Sequence, residues 1–135
     1  MSTRLRILIV DDEESVLFVW RNALQKLTNR VRVETVQNGD EALYKIEQAP
    51  FDLLVTDLRM PGLTGQALTQ AVRKLRPDLL VIWITAFRSP EIDVEAERLG
   101  VLCCLDKPLT VAQIRQVVPQ VLEVADRHLP IGSVG

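Results

Sequence analysis

The chain has 135 residues, 47% of them apolar and 25% charged, with a net charge of −2. This is the make-up of one globular domain with a real core; it leaves no electrostatic footprint for nucleic acid or an anionic membrane, and no apolar run approaches the ~20 residues of a membrane span. The N-terminus lacks the pattern of a secretory signal, and two adjacent cysteines, Cys103 and Cys104, suit neither a disulfide framework nor a zinc spacing, so a reducing cytoplasm is expected.

Five apolar runs recur along the chain, each closed by polar residues. Residues 7–10 run into Asp11-Asp12, residues 31–36 into Gln37-Asn38, and residues 53–56 into Asp57. Residues 80–84 lead to Thr85, and residues 101–105 to Asp106-Lys107. Between them lie segments of helical spacing. Val16, Trp20, Ala23, Leu24 and Leu27 share one face, as do Ala42, Leu43 and Ile46. Leu68, Ala71, Val72 and Leu75 make a third face, Ile92, Ala96 and Leu99 a weaker fourth, and Val111, Ile114, Val118, Val121 and Leu122 a fifth. Thr110 and Ser89 suit helix N-caps, Pro90 a first turn, and Gly100 a helix stop. Pro119 removes a donor inside the last helix and is expected to kink it. His128, the single histidine, lacks a partner for a metal or catalytic cluster and reads as surface; Ile131-Gly-Ser-Val-Gly135 reads as a tail or the start of a linker.

Strand and helix alternating five times predict an α/β doubly wound parallel sheet with helices on both faces. The flavodoxin-like strand order 2-1-3-4-5 is the common five-stranded solution. In that order strands 1, 3, 4 and 5 are neighbours, and Asp11, Asp12, Asp57, Thr85 and Lys107 meet at their carboxyl ends, the edge where such sheets bind ligands. Three carboxylates together need a counter-charge. Oxygen donors without His or Cys favour a hard divalent cation, Mg²⁺ being the abundant candidate. Lys107 adds a charge suited to a phosphate oxygen and Thr85 a hydroxyl donor, a set suited to accepting a phosphoryl group on a carboxylate.

Four motifs, each closing a predicted strand, carry a family resemblance: Ile9-Val-Asp-Asp-Glu13, Asp57-Leu-Arg-Met-Pro-Gly62 with Gly65, Thr85-Ala86, and Lys107-Pro108. From about Arg4 to about Arg127 the chain resembles the receiver domain of two-component response regulators. The resemblance implies a receiver over 1–127 and a tail over 128–135. It implies Asp57 as phosphoacceptor, with a sensor histidine kinase or a histidine phosphotransfer protein as donor. Asp12 is implied as a direct Mg²⁺ ligand, Asp11 as an acid acting mainly through water, and the backbone carbonyl of Arg59 as a third protein ligand. Thr85 and Lys107 would hold phosphoryl oxygens, Ala86 would keep the site open, and Lys107–Pro108 is similar to the family's cis peptide. One position departs from the pattern. The family commonly places an aromatic three residues before the lysine, as the partner of the switching threonine, and here that residue is Cys104. A small thiol has little area to bury on rotating.

Beside this stand plainer readings: Asp11 and Asp12 as helix caps, Asp57 as a turn residue, Thr85 as a solvated strand end and Lys107 as a surface lysine. Cys103 and Cys104 read as core or half-buried residues rather than redox centres. The acids of the fourth helix, Glu91, Asp93, Glu95 and Glu97, read as a solvated face or as part of an output surface. The leading expectation is a phosphorylation-dependent switch that catalyses only its own phosphotransfer and dephosphorylation. The alternatives are a phosphorylation-independent interaction module, which Cys104 favours, and an aspartyl-phosphate phosphatase, which Arg59 disfavours because it is a poor acid two residues after the acceptor. No DNA-binding or catalytic effector segment is visible, so output is expected through protein contact or a further domain; a homodimer through the last two helices stays open.

Overall fold

The computed structural model describes residues 5–27 and 30–128, apart from the side chains of Leu27 and of residues 125–128; the His128 side chain and the tail at 129–135 lie outside them. The elements alternate as β1 (Leu5–Val10), α1 (Glu14–Leu27), β2 (Val31–Val36), α2 (Gly39–Gln48), β3 (Leu53–Asp57), α3 (Gly65–Leu75), β4 (Leu80–Thr85), α4 (Pro90–Arg98), β5 (Cys103–Asp106) and α5 (Val111–His128). The strands form one sheet in the order β2-β1-β3-β4-β5, and every pair is parallel. This is the flavodoxin-like arrangement that the alternation predicts.

The period of two along each strand divides the core into two layers. Ile7, Ile9, Val55, Ile82 and Ile84 pack with Leu17, Trp20, Leu24, Ile114 and Val118 of α1 and α5. On the other face Leu8, Val10, Leu54, Val81, Trp83 and Cys104 pack with Ala42, Ile46, Leu68, Val72 and Ala96 of α2, α3 and α4. β3 and β4 are buried along their whole length, which is why their sequences read as unbroken apolar runs.

Most helix boundaries follow the sequence. Asn38, Thr64 and Ser89 accept from the amides of Glu41, Ala67 and Ile92 at 2.8, 3.1 and 3.3 Å. Thr110 and Gln113 make a reciprocal capping box, with bonds of 3.1 and 2.9 Å. Gly100 has φ of +70°, the left-handed stop after α4. Two expectations are adjusted. Leu75 and Val111 are exposed at 41% and 39%, because each sits at a helix end beyond the reach of the sheet. The fifth strand starts at Cys103 rather than Val101, the Leu102 amide already bonding to the Val81 carbonyl at 2.8 Å. Pro119 lies inside α5, as the sequence places it, at an exposed position where water can serve the carbonyl that loses its donor.

One close approach sets the position of β3 relative to α3. A Cβ on Gly65 would lie 2.3 Å from the Asp57 carbonyl oxygen and 2.9 Å from Leu58 Cα, and the Gly65 amide donates to the Leu58 carbonyl at 3.1 Å. Behind it, buried Trp83 Nε1 donates to Thr69 Oγ1 at 2.9 Å, and Thr69 donates to the Gly65 carbonyl at 2.7 Å. Gly65→Ala is therefore expected to destabilise the fold by about 1–3 kcal/mol through overpacking, with Thr69→Val costing about 1–3 kcal/mol through the unpaired indole N–H. Urea unfolding of both variants checks this; an unchanged midpoint in Gly65→Ala would show that the α3 N-terminus can move aside freely.

Candidate functional site

The carboxyl ends of β1, β3, β4 and β5 bring the predicted polar residues together. Asp11 is fully buried, Asp57 is 4% exposed and Thr85 1% exposed, whereas Asp12 is exposed. The Lys107 side chain, 12% exposed, reaches Asp11 Oδ2 at 3.0 Å, Glu13 Oε1 at 3.0 Å and Asp57 Oδ2 at 3.1 Å. The other Asp57 oxygen accepts from the Arg59 amide at 3.3 Å. Asp11 Oδ1 accepts from the Glu13 amide at 2.9 Å, in a turn that precedes α1. Thr85 Oγ1 accepts from the Phe87 amide at 3.1 Å, and its carbonyl from the Lys107 amide at 2.9 Å. The Lys107–Pro108 peptide is cis.

This burial is at odds with the plainer readings of Asp57, Thr85 and Lys107. A turn aspartate, a solvated threonine and a surface lysine would stand in water, and none of these three does. Asp11 serves a turn amide, but it is not the residue that caps α1.

Glu13 is a site residue whose contact with Lys107 the sequence pattern does not reveal. It belongs to the quoted first motif, yet periodicity places it at an exposed helix start. Its only sequence signal is that it is the third acid in a row after a buried strand. The side chains that surround the site lie on two loops: the Arg59 guanidinium stacks 4.3 Å from the centre of the exposed Phe87 ring. Ala86 is exposed and lines, with Val16, Val19, Pro108 and Leu109, a groove of about 420 Å³ that opens beside Lys107.

The electrostatics are unbalanced. Oxygens of Asp11, Asp12, Glu13 and Asp57 all lie within 4.8 Å of one another, four carboxylates facing the one ammonium of Lys107. Burial pushes the Asp11 carboxyl up to about 6, against the lowering effect of the Glu13 amide and Lys107. Burial also raises Asp57, again opposed by Lys107. For Lys107 burial works to lower the value, but Glu13, Asp11 and Asp57 outweigh it and hold the ammonium above its ordinary range. Asp11 Oδ2 is ion-paired with Lys107 by distance, yet it is buried without a hydrogen bond of acceptable geometry. A buried oxygen in that condition, in an all-oxygen cluster with excess negative charge, fits a hard divalent cation. Cys103 is half-buried and Cys104 buried, both free, with thiols that burial pushes up and so keeps inert.

A five-stranded parallel sheet in the order β2-β1-β3-β4-β5, with a buried acid–lysine site at its carboxyl edge, is the arrangement of a receiver. The family model of the response regulator receiver domain matches residues 7–119, and the chain belongs to that family. It is 32% identical over 124 residues to the response regulator protein PilR of Pseudomonas aeruginosa, a match covering 90% of this chain and 27% of PilR. It is 31% identical over 136 residues to the sensor protein EvgS of Escherichia coli K12, covering 97% of this chain and 11% of EvgS. A CheY-like receiver domain from Methanospirillum hungatei superposes with a TM-score of 0.86 at 28% identity, over 94% of this chain and all of that one. The chain thus spans about a quarter or less of the length of these curated relatives. Among the described residues no helix is long and apolar enough to cross a membrane.

The raised Asp11 value has a consequence for stability. The folded chain holds a proton on Asp11 more tightly than the unfolded chain does, so stability falls as pH rises from the ordinary 3.8 to about 6. In chelator, Asp11→Asn is expected to be more stable than the parent by about 1–3 kcal/mol at pH 7.5, a difference that shrinks towards pH 4. Urea titrations at several pH values test this, and a difference constant with pH would count against a shifted proton on Asp11.

Proposed function

We propose that this chain is a phosphorylation-dependent signalling switch, working in the cytoplasm, whose Asp57 accepts a phosphoryl group from a sensor histidine kinase or a histidine phosphotransfer protein. The observation that carries the reading is the buried Asp57–Lys107 pair, 3.1 Å apart, at the carboxyl edge of the sheet. The Asp57 carboxylate attacks phosphorus in line, a P–O bond forms, and the P–N bond to the donor histidine breaks with its electron pair leaving on the imidazole. Lys107, already beside Asp57, meets charge on the phosphoryl oxygens. In the resting chain Thr85 Oγ1 accepts from the Phe87 amide; its hydroxyl hydrogen is the donor a phosphoryl oxygen would draw on. The groove beside Lys107, lined by Val16, Val19, Pro108 and Leu109, gives a donor protein an apolar surface next to the acceptor.

Mg²⁺ would be held by Asp12, Asp57 and the Arg59 carbonyl, with Asp11 acting mainly through water; when bound it neutralises charge that builds on the transferring oxygens. Glu13 joins this set as a competitor for Lys107 that a dianionic phosphoryl group displaces. Autodephosphorylation, by water attack on the same phosphorus, completes the cycle. Residues 1–127 make up the receiver, and output passes to a further domain or to a partner protein. The phosphatase alternative gains nothing from Arg59, whose guanidinium is stacked on Phe87 and is a poor proton donor.

Intact mass after incubation with acetyl phosphate and Mg²⁺ tests the reading. The parent is expected to gain one phosphoryl group, Asp57→Asn none, and chelator should abolish the gain. Lys107→Ala is expected to slow uptake about 10²-fold, the usual loss for one charge-stabilising group. If the parent gains nothing from acetyl phosphate or from a panel of phosphorylated kinases, while Mg²⁺ binds, the chain is a passive docking module.

A further inference from the structure

The β4–α4 loop, α4 and β5 are joined beside the acceptor site by one side chain. Arg88 lies in the loop between β4 and α4, three residues after Thr85. Its Nε donates to Asp93 Oδ1 at 2.9 Å in the first turns of α4, and its Nη1 donates to the Cys104 carbonyl of β5 at 3.1 Å. The same Nη1 stands 3.9 Å from Asp106 Oδ2 at the end of β5. The loop that carries Arg88 is itself tied to the site, because the Phe87 amide donates to Thr85 Oγ1 at 3.1 Å.

α4 depends on such tethers. Only Ala96 of this helix is buried, and Val94 is 67% exposed, so apolar packing fixes it weakly. Its other end is held by Arg73 of α3, which donates to the carbonyls of Leu99 at 2.7 Å and Gly100 at 3.0 Å. Cys104 faces α4 from β5 and is buried, but its thiol is too small to transmit a displacement by bulk.

We propose that Arg88 is the positioning residue through which the state of Asp57 reaches α4 and β5. The inference rests on the phosphoryl-acceptor reading above. When the Thr85 hydroxyl turns to a phosphoryl oxygen it gives up the Phe87 amide, and the segment Ala86–Arg88 shifts with it. The guanidinium then cannot keep both Asp93 and the Cys104 carbonyl, since its planar fork holds two acceptors only at a fixed spacing. α4 is released or re-seated as a body against β5. Lysine, a single ammonium, cannot replace the fork.

Amide hydrogen exchange over residues 91–99 and 103–106, with intact mass of the same samples, tests this in the parent, Arg88→Ala, Arg88→Lys and Asp93→Asn, with and without acetyl phosphate and Mg²⁺. All four are expected to take up one phosphoryl group. In the parent, exchange in α4 should change on phosphorylation by about fivefold or more, the low end of ordinary coupling between sites. In both Arg88 variants α4 should exchange faster before phosphorylation, and the further change should fall below about twofold on the same scale; Asp93→Asn should lie between. A purely structural Arg88 would alter the starting rate and leave the fold-change intact, and that result would overturn the inference. Phosphoryl uptake without any change in α4 of the parent would also overturn it, while leaving the acceptor reading in place. Absence of uptake in the parent, from acetyl phosphate and from a panel of phosphorylated kinases alike, would refute both.

Discussion

The Lys107 ammonium, held at 3.0–3.1 Å from Asp11, Glu13 and Asp57, is the contact on which the rest of this structure depends. It joins the ends of β1, β3 and β5, three strands that the chain visits far apart in sequence. Without it the carboxylates would repel one another in a buried place, and a buried charge is tolerated only when paired. Even with it, four acids face one cation. Burial raises the Asp11 and Asp57 carboxyls, and a neighbouring carboxylate adds a smaller push to each. The site is thus held in a condition that added positive charge relieves. A divalent cation meets this need directly; a phosphoryl group does not, since it brings more negative charge. Under the proposed function, metal and phosphoryl chemistry would therefore belong together, and Lys107 alone would not suffice.

The fold makes that geometry hard to lose. Strand order brings the residues to one edge, but the height of Asp57 along the edge is set by packing behind it. Gly65 lets the N-terminus of α3 approach the Asp57 carbonyl more closely than any side chain permits. The Trp83–Thr69–Gly65 chain of hydrogen bonds then ties that glycine to β4, the strand that carries Thr85. Asp57 and Thr85 are therefore referenced to the same buried network. A change at Thr69 should reach both although it touches neither.

What the sequence shows and what it hides divide along a physical line. The strands, their order and the meeting of Asp11, Asp57, Thr85 and Lys107 follow from apolar periodicity and the rules of parallel sheets, which depend on backbone geometry. The caps at Ser89 and Thr110 are equally legible, because a cap is a local hydrogen bond. Glu13, Arg73 and Arg88 were not legible in their roles. Each is a long charged side chain whose partners lie in other elements, and no period records where such a side chain folds back. Leu75 and Val111 mislead for the opposite reason: they fit a helical stripe, but the stripe outruns the sheet beneath it.

The absence of an aromatic at Cys104 changes the physics by which this receiver can move. An aromatic that turns inward gains through buried area, a non-directional term of a few kcal/mol for a large side chain. Arg88 works instead through directional bonds near the surface, where it and Asp93 are 45% and 49% exposed. Exposed ion pairs of this kind contribute only about 0.2–1 kcal/mol. Such a tether adds little to the stability of the resting chain. It is also easily broken by an event at Asp57 that gains charge-assisted bonds of greater strength. A weak directional link between a strongly bonded site and a weakly packed helix suits a switch, because the energy of the site decides the position of the helix and the helix scarcely resists.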